Sequence, residues 1–172
     1  MEPKVETVQS RIVYLSEVNY MDIPYYLHFA TTEDIDAWMD LVDLVKGNFP
    51  GFDREEYVKT LERNVNRKSA LCVKYHDTIT GVLLFSINVK CLSCMAVHPK
   101  HRRKGIGSVL VEKMISLFPA NIDIDVDTFR ADDRLGDAPR ALYKKLNFVE
   151  GEEFIGIGDY PVQKFTLRRN QA

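Results

Sequence analysis

The residues most suited to chemistry are five consecutive basic or histidine residues, Lys100–Lys104, that stand directly before two glycines. An apolar, strand-like run ends at Val97, and a helical apolar pattern begins around Gly105, Gly107 and Ser108. Glycine lets a bulky anion approach the backbone, and the unpaired N–H groups of a first helical turn point toward such an anion. A nucleic-acid patch or a solvated loop would explain the basic residues alone. The glycines favour a phosphate-binding turn instead.

Two segments resemble the signature motifs of the GNAT acetyltransferase family. Arg102–Gly107 matches the family's (Gln/Arg)-x-x-Gly-x-(Gly/Ala) signature, and a Val-x-Pro tripeptide precedes it where the family places one. Ala141–Phe148 looks like the family's Leu-Tyr-x-x-x-Gly-Phe segment, with Asn147 in place of the glycine. The two motifs have the family's order and separation, and the resemblance extends over residues 25–168.

The resemblance implies a single-domain α/β (α+β) fold, in which a mixed, mostly antiparallel, twisted sheet of six to seven strands carries about four helices on both faces. It also implies that acetyl-CoA, as co-substrate, gives its acetyl group to a primary amine by direct attack in a ternary complex, without a metal. The acceptor would be a small molecule or a protein amine, and the protein a monomer or a homodimer. We assign residues 21–172 to this domain and residues 1–20 to an N-terminal extension of uncertain structure.

By the same resemblance, acetyl-CoA is held by the phosphate-binding turn and by a strand edge. In the family, the strand before the turn parts from its neighbour, and its backbone N–H groups hold the thioester oxygen. Met95–Val97 occupy that position here. Backbone donors of this kind act as an oxyanion hole and need no particular side chain. The expected cofactor-binding residues are Met95, Ala96, Val97, Arg102, Arg103, Lys104, Gly105, Ile106, Gly107 and Ser108.

Tyr143 is the expected catalytic residue, because it falls where the family places the hydroxyl that meets the departing thiolate. Without the family, an ordinary core aromatic on a helix would be the simpler interpretation. A phenol with a pKa of about 10 stays protonated at pH 7 and can donate a hydrogen bond. Full proton transfer to a thiolate would be uphill by about 2 kcal/mol. Hydrogen bonding to the developing thiolate, with late protonation, is therefore the expected role.

The acceptor side is harder to predict. Phe49 and Phe52 flank a Pro-Gly pair, and they are either core residues or the apolar wall of an acceptor site; the sequence favours neither. Asp127 is the last of three aspartates that alternate with apolar residues, a pattern typical of a strand with one solvated face. We take Phe49, Phe52 and Asp127 as candidate substrate-binding residues and expect a cationic or amine-bearing acceptor. Asp127, Glu152 and Glu153 are candidates for the general base.

Apolar periodicity places these residues on a sequence of strands and helices. We predict strands over residues 25–30, 69–76, 80–87, 90–97, 122–129, 149–157 and 162–167, with a further short strand possible over 11–15. Caps and apolar stripes predict helices that begin at Thr31 or Thr32, at Asp53, at the phosphate-binding turn and near Ala138. Asn147 is expected at the C-terminal cap of the last helix.

Composition sets the broad class of the protein. A chain of 172 residues with 45% apolar and 28% charged residues fits one globular domain. The longest nearly unbroken apolar run, Val82–Ile87, is far too short to cross a membrane. Three cysteines without framework spacing fit a reducing compartment, so we expect a cytoplasmic protein. Cys91 and Cys94 lack a second pair and are expected in the core rather than on a metal. The net charge of −2 gives no support for general nucleic-acid binding.

Two other functions remain open. A strand, Gly105-x-Gly107, a helix and Asp125 about 20 residues further on would suit a dinucleotide-binding oxidoreductase. Against it, Leu110 stands in the place of the third glycine and basic residues precede the first. The non-enzymatic alternative is an acetyl-CoA-binding sensor or interaction domain that has lost turnover.

Two departures from the family pattern affect the tyrosine helix. Gly136 stands where many relatives have an asparagine that contacts the pantetheine arm, and Pro139 falls in the helix's early turn. Proline is tolerated only near the start of a helix. Contacts to the cofactor from this side are therefore expected to differ.

Overall fold

The computed structural model describes residues 12–14, by their backbone alone, and residues 25–169. Eight strands are present in these residues: β1 (Ile12–Tyr14), β2 (Tyr25–Phe29), β3 (Ala70–Tyr75), β4 (Thr78–Ser86), β5 (Cys91–Val97), β6 (Ile124–Phe129), β7 (Val149–Ile155) and β8 (Pro161–Leu167). The helices of four residues or more are α1 (Ile35–Val45), α2 (Arg54–Asn66), α3 (Ile106–Leu117) and α4 (Asp137–Lys145). None of the helices in the described part of the chain is long and apolar enough to cross a membrane.

All eight strands join in one sheet, in the order β1-β2-β3-β4-β5-β6-β8-β7. The β1–β2 and β5–β6 pairs are parallel, and the other five pairs are antiparallel. The predicted fold class is therefore confirmed, and the short β1 brings the sheet from seven strands to eight. This strand falls within the predicted extension, residues 1–20, whose other residues lie outside those described. A mostly antiparallel sheet also argues against the dinucleotide-binding alternative, which requires a mostly parallel one.

Helices cover both faces of the sheet, as the sequence predicts, and each face has its own apolar core. Alternate residues of β3 show the division: Leu71 and Val73 join the core under α3, whereas Ala70 and Cys72 join the core under α1 and α2. All four of these residues are fully buried. The first core contains Met114 and Tyr143, and the second is centred on Trp38, Val42 and Leu61. We call the side of the sheet that carries α1 and α2 the acceptor face.

The sheet opens between β5 and β6, and β5 carries a β-bulge on its other side, against β4. The register between β4 and β5 shifts at Ser93, because Leu84 faces Cys94 whereas Phe85 faces Leu92. On its other side, β5 pairs with β6 at Cys91 and Leu92 alone. Beyond those two residues the parallel strands part, and the cleft opens toward their C-terminal ends. Ligands of open α/β sheets commonly bind in such a crevice.

Polar residues fix the helix starts that the sequence predicts. The side chain of Asp53 accepts a hydrogen bond from the N–H of Glu56 at 3.1 Å and caps α2. Thr31 precedes a 3-10 turn, Thr32–Asp34, that leads directly into α1. Pro139 is the third residue of α4, where its missing N–H would have no partner within the helix in any case. The predicted Asp53 cap and the early position of the proline are therefore confirmed, whereas α1 itself begins at Ile35, one 3-10 turn later than predicted.

Candidate active site

The phosphate-binding turn, Arg102–Ser108, has the backbone conformation that the sequence predicts. Gly105 stands immediately before α3 in the left-handed region, at φ +76°. The first hydrogen bond of the helix runs from the N–H of Val109 to the O of Gly105, over 3.0 Å. The N–H groups of Ile106, Gly107 and Ser108 therefore precede the helical ladder and point out of its first turn. Three adjacent amides at the positive end of a helix dipole form a suitable site for a phosphate.

Positive charge lies beside this turn. Arg102 and Arg103 are exposed, and the Nε of Arg102 donates to the O of Val97 at 3.3 Å. Lys104 lies over the ring of Tyr25, with its Nζ 5.9 Å from the ring centroid. The hydroxyl of Tyr25 is 2.8 Å from Nδ1 of His101, so this histidine belongs to the same surface. The turn therefore combines backbone N–H groups that point outward with long cationic side chains. This combination suits the binding of a pyrophosphate.

Gly107 connects the turn to the other two predicted parts of the site. A Cβ added to Gly107 would lie 3.0 Å from Cδ2 of Leu142 on α4 and 3.8 Å from Cε of Met95 on β5. The turn, the edge of β5 and the tyrosine helix thus converge at one place. The structure therefore brings together the three segments that the family resemblance indicates.

The edge of β5 directs backbone donors into the cleft. The N–H of His98 donates to the O of Thr80 on β4 at 2.8 Å. Successive residues of a strand turn their N–H groups to alternate sides, so Ala96 also faces β4, whereas Met95 and Val97 face the opening toward β6. Of the three residues proposed from the sequence, these two have the orientation that an oxyanion hole needs.

Tyr143 lies in the core beside the cleft and is only 4% exposed. Its ring packs against Phe148 and Phe165, with centroids 5.6 and 6.2 Å away. Burial raises the pKa of the Tyr143 phenol well above its ordinary value, and the neighbouring Cys94 raises it further. The hydroxyl therefore stays protonated throughout the neutral range, as a hydrogen-bond donor must.

Arg140, which the sequence analysis did not select, holds the tyrosine helix on the sheet. This buried side chain donates to the O of Phe129 at 3.0 Å, to Gln163 Oε1 at 2.7 Å and to Glu150 Oε1 at 2.8 Å. Its guanidinium also lies 4.9 Å from the ring centroid of Phe165. Arg140 precedes Tyr143 by one helical turn, so these bonds fix the helix from which the phenol projects. The sequence gives no sign of this role, because an arginine in the first turns of a helix is usually exposed to solvent.

Gly136, the departure from the family pattern, has a packing explanation. A Cβ at this position would lie 2.9 Å from Cβ of Phe129 and 3.1 Å from the O of Arg130. The start of α4 therefore approaches the end of β6 too closely for a larger residue.

A chain of polar contacts runs from Cys94 on β5 to Tyr57 and Trp38 on the acceptor face. Its Sγ lies 3.7 Å from the hydroxyl of Tyr57, which accepts a hydrogen bond from Nε1 of Trp38 at 3.0 Å. Burial raises the pKa of the Cys94 thiol to about 11, and burial likewise raises the pKa of Tyr57 well above its ordinary value. Both groups are therefore neutral at pH 7, and Cys94 lacks the thiolate of a nucleophile.

Phe49 and Phe52 form an aromatic wall with Tyr57 on the acceptor face. The ring centroids are 6.2 Å apart for the two phenylalanines, and Tyr57 lies 6.4 Å from Phe49 and 5.7 Å from Phe52. The two phenylalanines are half-buried, packed against the core residues of this face yet partly open to solvent. Both phenylalanines therefore pack against this core and keep a partly exposed face.

Asp127 lies on the same side of the sheet, because β6 turns Ile124 and Val126 toward the opposite core. It faces Lys164 across the β6–β8 pair, and Lys164 Nζ also lies 3.9 Å from Asp125 and 3.8 Å from Glu152. Loss of hydration raises the pKa of the Asp127 carboxyl; Lys164 opposes this shift, and Asp125 and Glu152 reinforce it. This acidic surface confirms the predicted alternation of β6.

Comparisons with known proteins agree with this geometry. The model of the family described as "Acetyltransferase (GNAT) family" matches residues 38–148. A GNAT-family acetyltransferase from Bacillus cereus is 18% identical, with a TM-score of 0.67 over 84% of this chain and 97% of that one. The ribosomal-protein-S18-alanine N-acetyltransferase from Escherichia coli is 16% identical, with a TM-score of 0.67 over 86% and 96% of the two chains. A chain of the NatC complex bound to Gag peptide and CoA is 13% identical, with a TM-score of 0.62 over 85% and 99%. No curated protein sequence gives a significant match.

Proposed function

This chain belongs to the acetyltransferase (GNAT) family, and on that premise we propose that it transfers the acetyl group of acetyl-CoA to a primary amine by direct attack in a ternary complex. As a member of the family it is an N-acetyltransferase. The observation that carries the detailed proposal is the convergence at Gly107, where the phosphate-binding turn meets Met95 of β5 and Leu142 of the tyrosine helix. Around that point, the turn amides suit the pyrophosphate, the N–H groups of β5 suit the thioester oxygen, and the hydroxyl of Tyr143 suits the leaving thiolate.

In this proposal, the amides of Ile106, Gly107 and Ser108 bind the pyrophosphate, and Arg102 and Arg103 add charge from solvent. The pantetheine arm enters the cleft between β5 and β6. The thioester oxygen accepts hydrogen bonds from the N–H groups of Met95 and Val97, which therefore stabilise the oxyanion that develops during attack.

The amine nitrogen forms the new C–N bond on the acceptor face, and the C–S bond then breaks to release CoA. Tyr143 donates a hydrogen bond to the departing sulfur, which takes up a proton late in the step. Because burial raises the pKa of this phenol, complete transfer of its own proton is less favourable than from an ordinary tyrosine. Stabilising the thiolate through the hydrogen bond is therefore its main contribution.

An alkyl amine with a pKa of about 10 must lose a proton before it attacks, which costs about 4 kcal/mol at pH 7. The acidic surface of Asp127 and Glu152 supports a route for this proton. The raised pKa of Asp127 makes it a stronger base than an ordinary carboxylate once it is ionised. Oε2 of Glu153 lies 3.6 Å from Nε of Arg130. Because this ion pair offsets part of the negative charge of Glu153, Glu153 is the less favoured base.

The acceptor that this surface suits best is cationic or carries a free amine. Phe49, Phe52 and Tyr57 would contact its apolar part, and the carboxylates of Asp127 and Glu152 would attract its charge. Both small amines and protein N-termini satisfy this description. The structural similarity to the ribosomal-protein-S18-alanine N-acetyltransferase from Escherichia coli supports the inclusion of protein acceptors.

The test is a panel of polyamines, amino compounds and short peptides incubated with acetyl-CoA, in which mass spectrometry detects the acetylated product. Product that depends on both the enzyme and one amine would support the proposal. Tight binding of acetyl-CoA without product from any amine would instead support the sensor or interaction domain. Failure to bind acetyl-CoA would reject both functions.

A further inference from the structure

We propose that His28, Asp34 and Cys72 form a binding site for one divalent transition-metal ion, with Zn²⁺ as the best match. His28 lies on β2, Cys72 lies directly opposite it on β3, and Asp34 ends the 3-10 turn before α1. Each residue offers one ligand atom, and the three atoms lie within 4.8 Å of one another. The site is separate from the proposed active site, because β4 and β5 lie between it and the cleft.

Two of the three distances between the ligand atoms agree with tetrahedral coordination after a small adjustment, and the third, between Asp34 and Cys72, is no more than 4.8 Å. Nε2 of His28 is 3.2 Å from Oδ2 of Asp34 and 3.3 Å from Sγ of Cys72. Tetrahedral ligands at the usual Zn²⁺ bond lengths of roughly 2.0–2.3 Å lie about 3.3–3.6 Å from one another. An ion placed among the three atoms would therefore need to move them by only a few tenths of an ångström along these two edges.

A metal explains this arrangement better than a catalytic triad does. In a Cys-His-Asp triad, the thiol and the carboxylate contact different nitrogens of the imidazole ring. Here, both partners lie nearest to the same nitrogen, Nε2 of His28, since Sγ of Cys72 is 3.3 Å from Nε2 and 4.0 Å from Nδ1. One ring nitrogen cannot relay a proton between two groups that share it, but its lone pair can complete a set of ligands around an ion.

The surroundings support Asp34 and His28 as preorganised ligands. Oδ2 of Asp34 accepts hydrogen bonds from the N–H of Thr31 at 2.8 Å and from its hydroxyl at 3.3 Å, and the other carboxylate oxygen pairs with Lys74. The ring of Tyr26 stacks on that of His28, with centroids 5.7 Å apart. Contacts of this type orient metal ligands and limit their motion. Lys74 also balances part of the negative charge that a bound thiolate and carboxylate bring.

The chemistry of the ligands selects the metal class. Imidazole nitrogen, carboxylate oxygen and thiolate sulfur together suit Zn²⁺, whereas Mg²⁺ and Ca²⁺ require oxygen ligands. On binding, the thiol of Cys72 releases its proton to the buffer and becomes the thiolate ligand. The side chains of Asp34 and Cys72 are 4% and 0% exposed, and His28, at 12%, provides the opening toward solvent. A water molecule there can supply the fourth ligand.

The proposal reverses the expectation from sequence, which was that no metal binds. His28 and Asp34 have no spacing typical of a zinc motif, and Cys72 follows far along the chain. Only the antiparallel register of β2 and β3 brings His28 and Cys72 together. A bound ion would connect β2, β3 and the start of α1, so its role would be structural.

The test uses the untagged full chain after removal of metal by a chelator, titrated separately with Zn²⁺ and Co²⁺. We expect one equivalent of Zn²⁺ to bind and to raise the thermal midpoint. Co²⁺ should produce a thiolate-to-metal charge-transfer band. Cys72→Ser and His28→Gln should each lower the affinity by at least about tenfold, whereas the matched variants Cys91→Ser and His76→Gln should bind as the wild type does.

Several results would overturn the proposal. These are the absence of Zn²⁺ binding by the folded wild-type chain, a cobalt complex without the thiolate band, and equal affinity in Cys72→Ser and Cys91→Ser. The cobalt spectrum of the wild type decides the question even if Cys72→Ser fails to fold. Acetyl-CoA affinity, measured with and without metal, should be unchanged because the two sites are separate.

Discussion

Gly51 and Gly158 lie backbone to backbone, and their contact joins the two loops that border the acceptor face. A Cβ on Gly51 would be 3.3 Å from Cα of Gly158, and a Cβ on Gly158 would be 3.1 Å from Cα of Gly51. Both residues have φ +69°, in the left-handed region that favours glycine. The α1–α2 loop therefore reaches the β7–β8 loop beside the aromatic wall, and the contact would limit the width of the proposed acceptor entrance.

The first prediction follows from this contact. Gly158→Ala should move the loops apart and lower the free energy of unfolding by about 1–2 kcal/mol, because the new Cβ is strained at positive φ. The KM for the acceptor should rise, whereas the Kd for acetyl-CoA should stay within about twofold. Gly47→Ala is the matched control, since a Cβ at Gly47 meets no atom within 4 Å. Equal acceptor kinetics in the two variants would show that the loop contact does not shape the entrance.

The second prediction concerns the phosphate-binding turn. Gly107→Asp should abolish acetyl-CoA binding, because it adds both bulk and negative charge beside the proposed pyrophosphate site. Isothermal titration calorimetry on a folded variant measures this directly. Gly47→Asp introduces the same side chain where there is open space and should bind as the wild type does. Wild-type affinity in folded Gly107→Asp would refute the role of the turn.

The third prediction concerns Arg140 as a positioning residue. Arg140→Met should remove its bonds to Phe129, Gln163 and Glu150 and lower the free energy of unfolding by about 2–3 kcal/mol. Because these bonds fix α4, kcat should also fall while acetyl-CoA affinity changes little. Urea unfolding and steady-state kinetics provide the two readouts.

Lys145→Met is the control for Arg140→Met, because it removes an exposed charge from the same helix. Arg140→Lys should recover part of the stability and part of kcat. If Arg140→Met loses stability but keeps full kcat, Arg140 supports the fold without positioning Tyr143.

The fourth prediction is a pH dependence of stability. The folded pKa of Asp127 is raised, so the folded state binds this proton more tightly than the unfolded state does. Stability should therefore fall as pH rises through the interval between the unfolded and folded pKa values, and remain lower above it. Asp127→Asn removes this effect. The thermal midpoint of the variant minus that of the wild type should therefore increase between about pH 4 and about pH 7. A difference that decreases over that interval would contradict the assignment. Asp36→Asn is the control, because it removes a carboxylate on α1, and its thermal midpoint is compared with that of the wild type over the same pH range.

The sequence predicts those parts of the site that depend on neighbouring residues. The phosphate-binding turn is a local pattern of glycines, charges and helix start, and the alternation of β6 is a property of one strand. Family resemblance adds Tyr143, whose position the sequence alone would assign to the core. The cap residues Asp53 and Thr31 are local signals in the same sense.

The remaining features depend on contacts between distant segments, which no local pattern encodes. The contact of Gly51 with Gly158 spans most of the domain, and the bonds of Arg140 reach β6, β7 and β8. The bulge at Ser93, beside the cleft, depends on the register of β4 against β5. Each of these contacts can be predicted only once the order and register of the strands are known.

The proposed chemistry depends most directly on the hydroxyl of Tyr143. Tyr143→Phe keeps the ring that packs against Phe148 and Phe165, so folding should be nearly intact. Acetyl-CoA affinity should also be preserved, because the phosphates are proposed to bind at the turn and not at the phenol. Tyr26→Phe, which removes a hydroxyl on β2 outside the cleft, is the matched control.

The deciding measurement is single-turnover acetyl transfer to the best amine of the panel, with acetyl-CoA bound in advance so that chemistry rather than CoA release limits the rate. Losing a positioned proton donor typically costs about 10²–10⁴-fold in rate. We predict a decrease of at least about tenfold in Tyr143→Phe, and none in Tyr26→Phe. An unchanged single-turnover rate in folded Tyr143→Phe would show that Tyr143 is a packing residue and would contradict the catalytic role assigned to it.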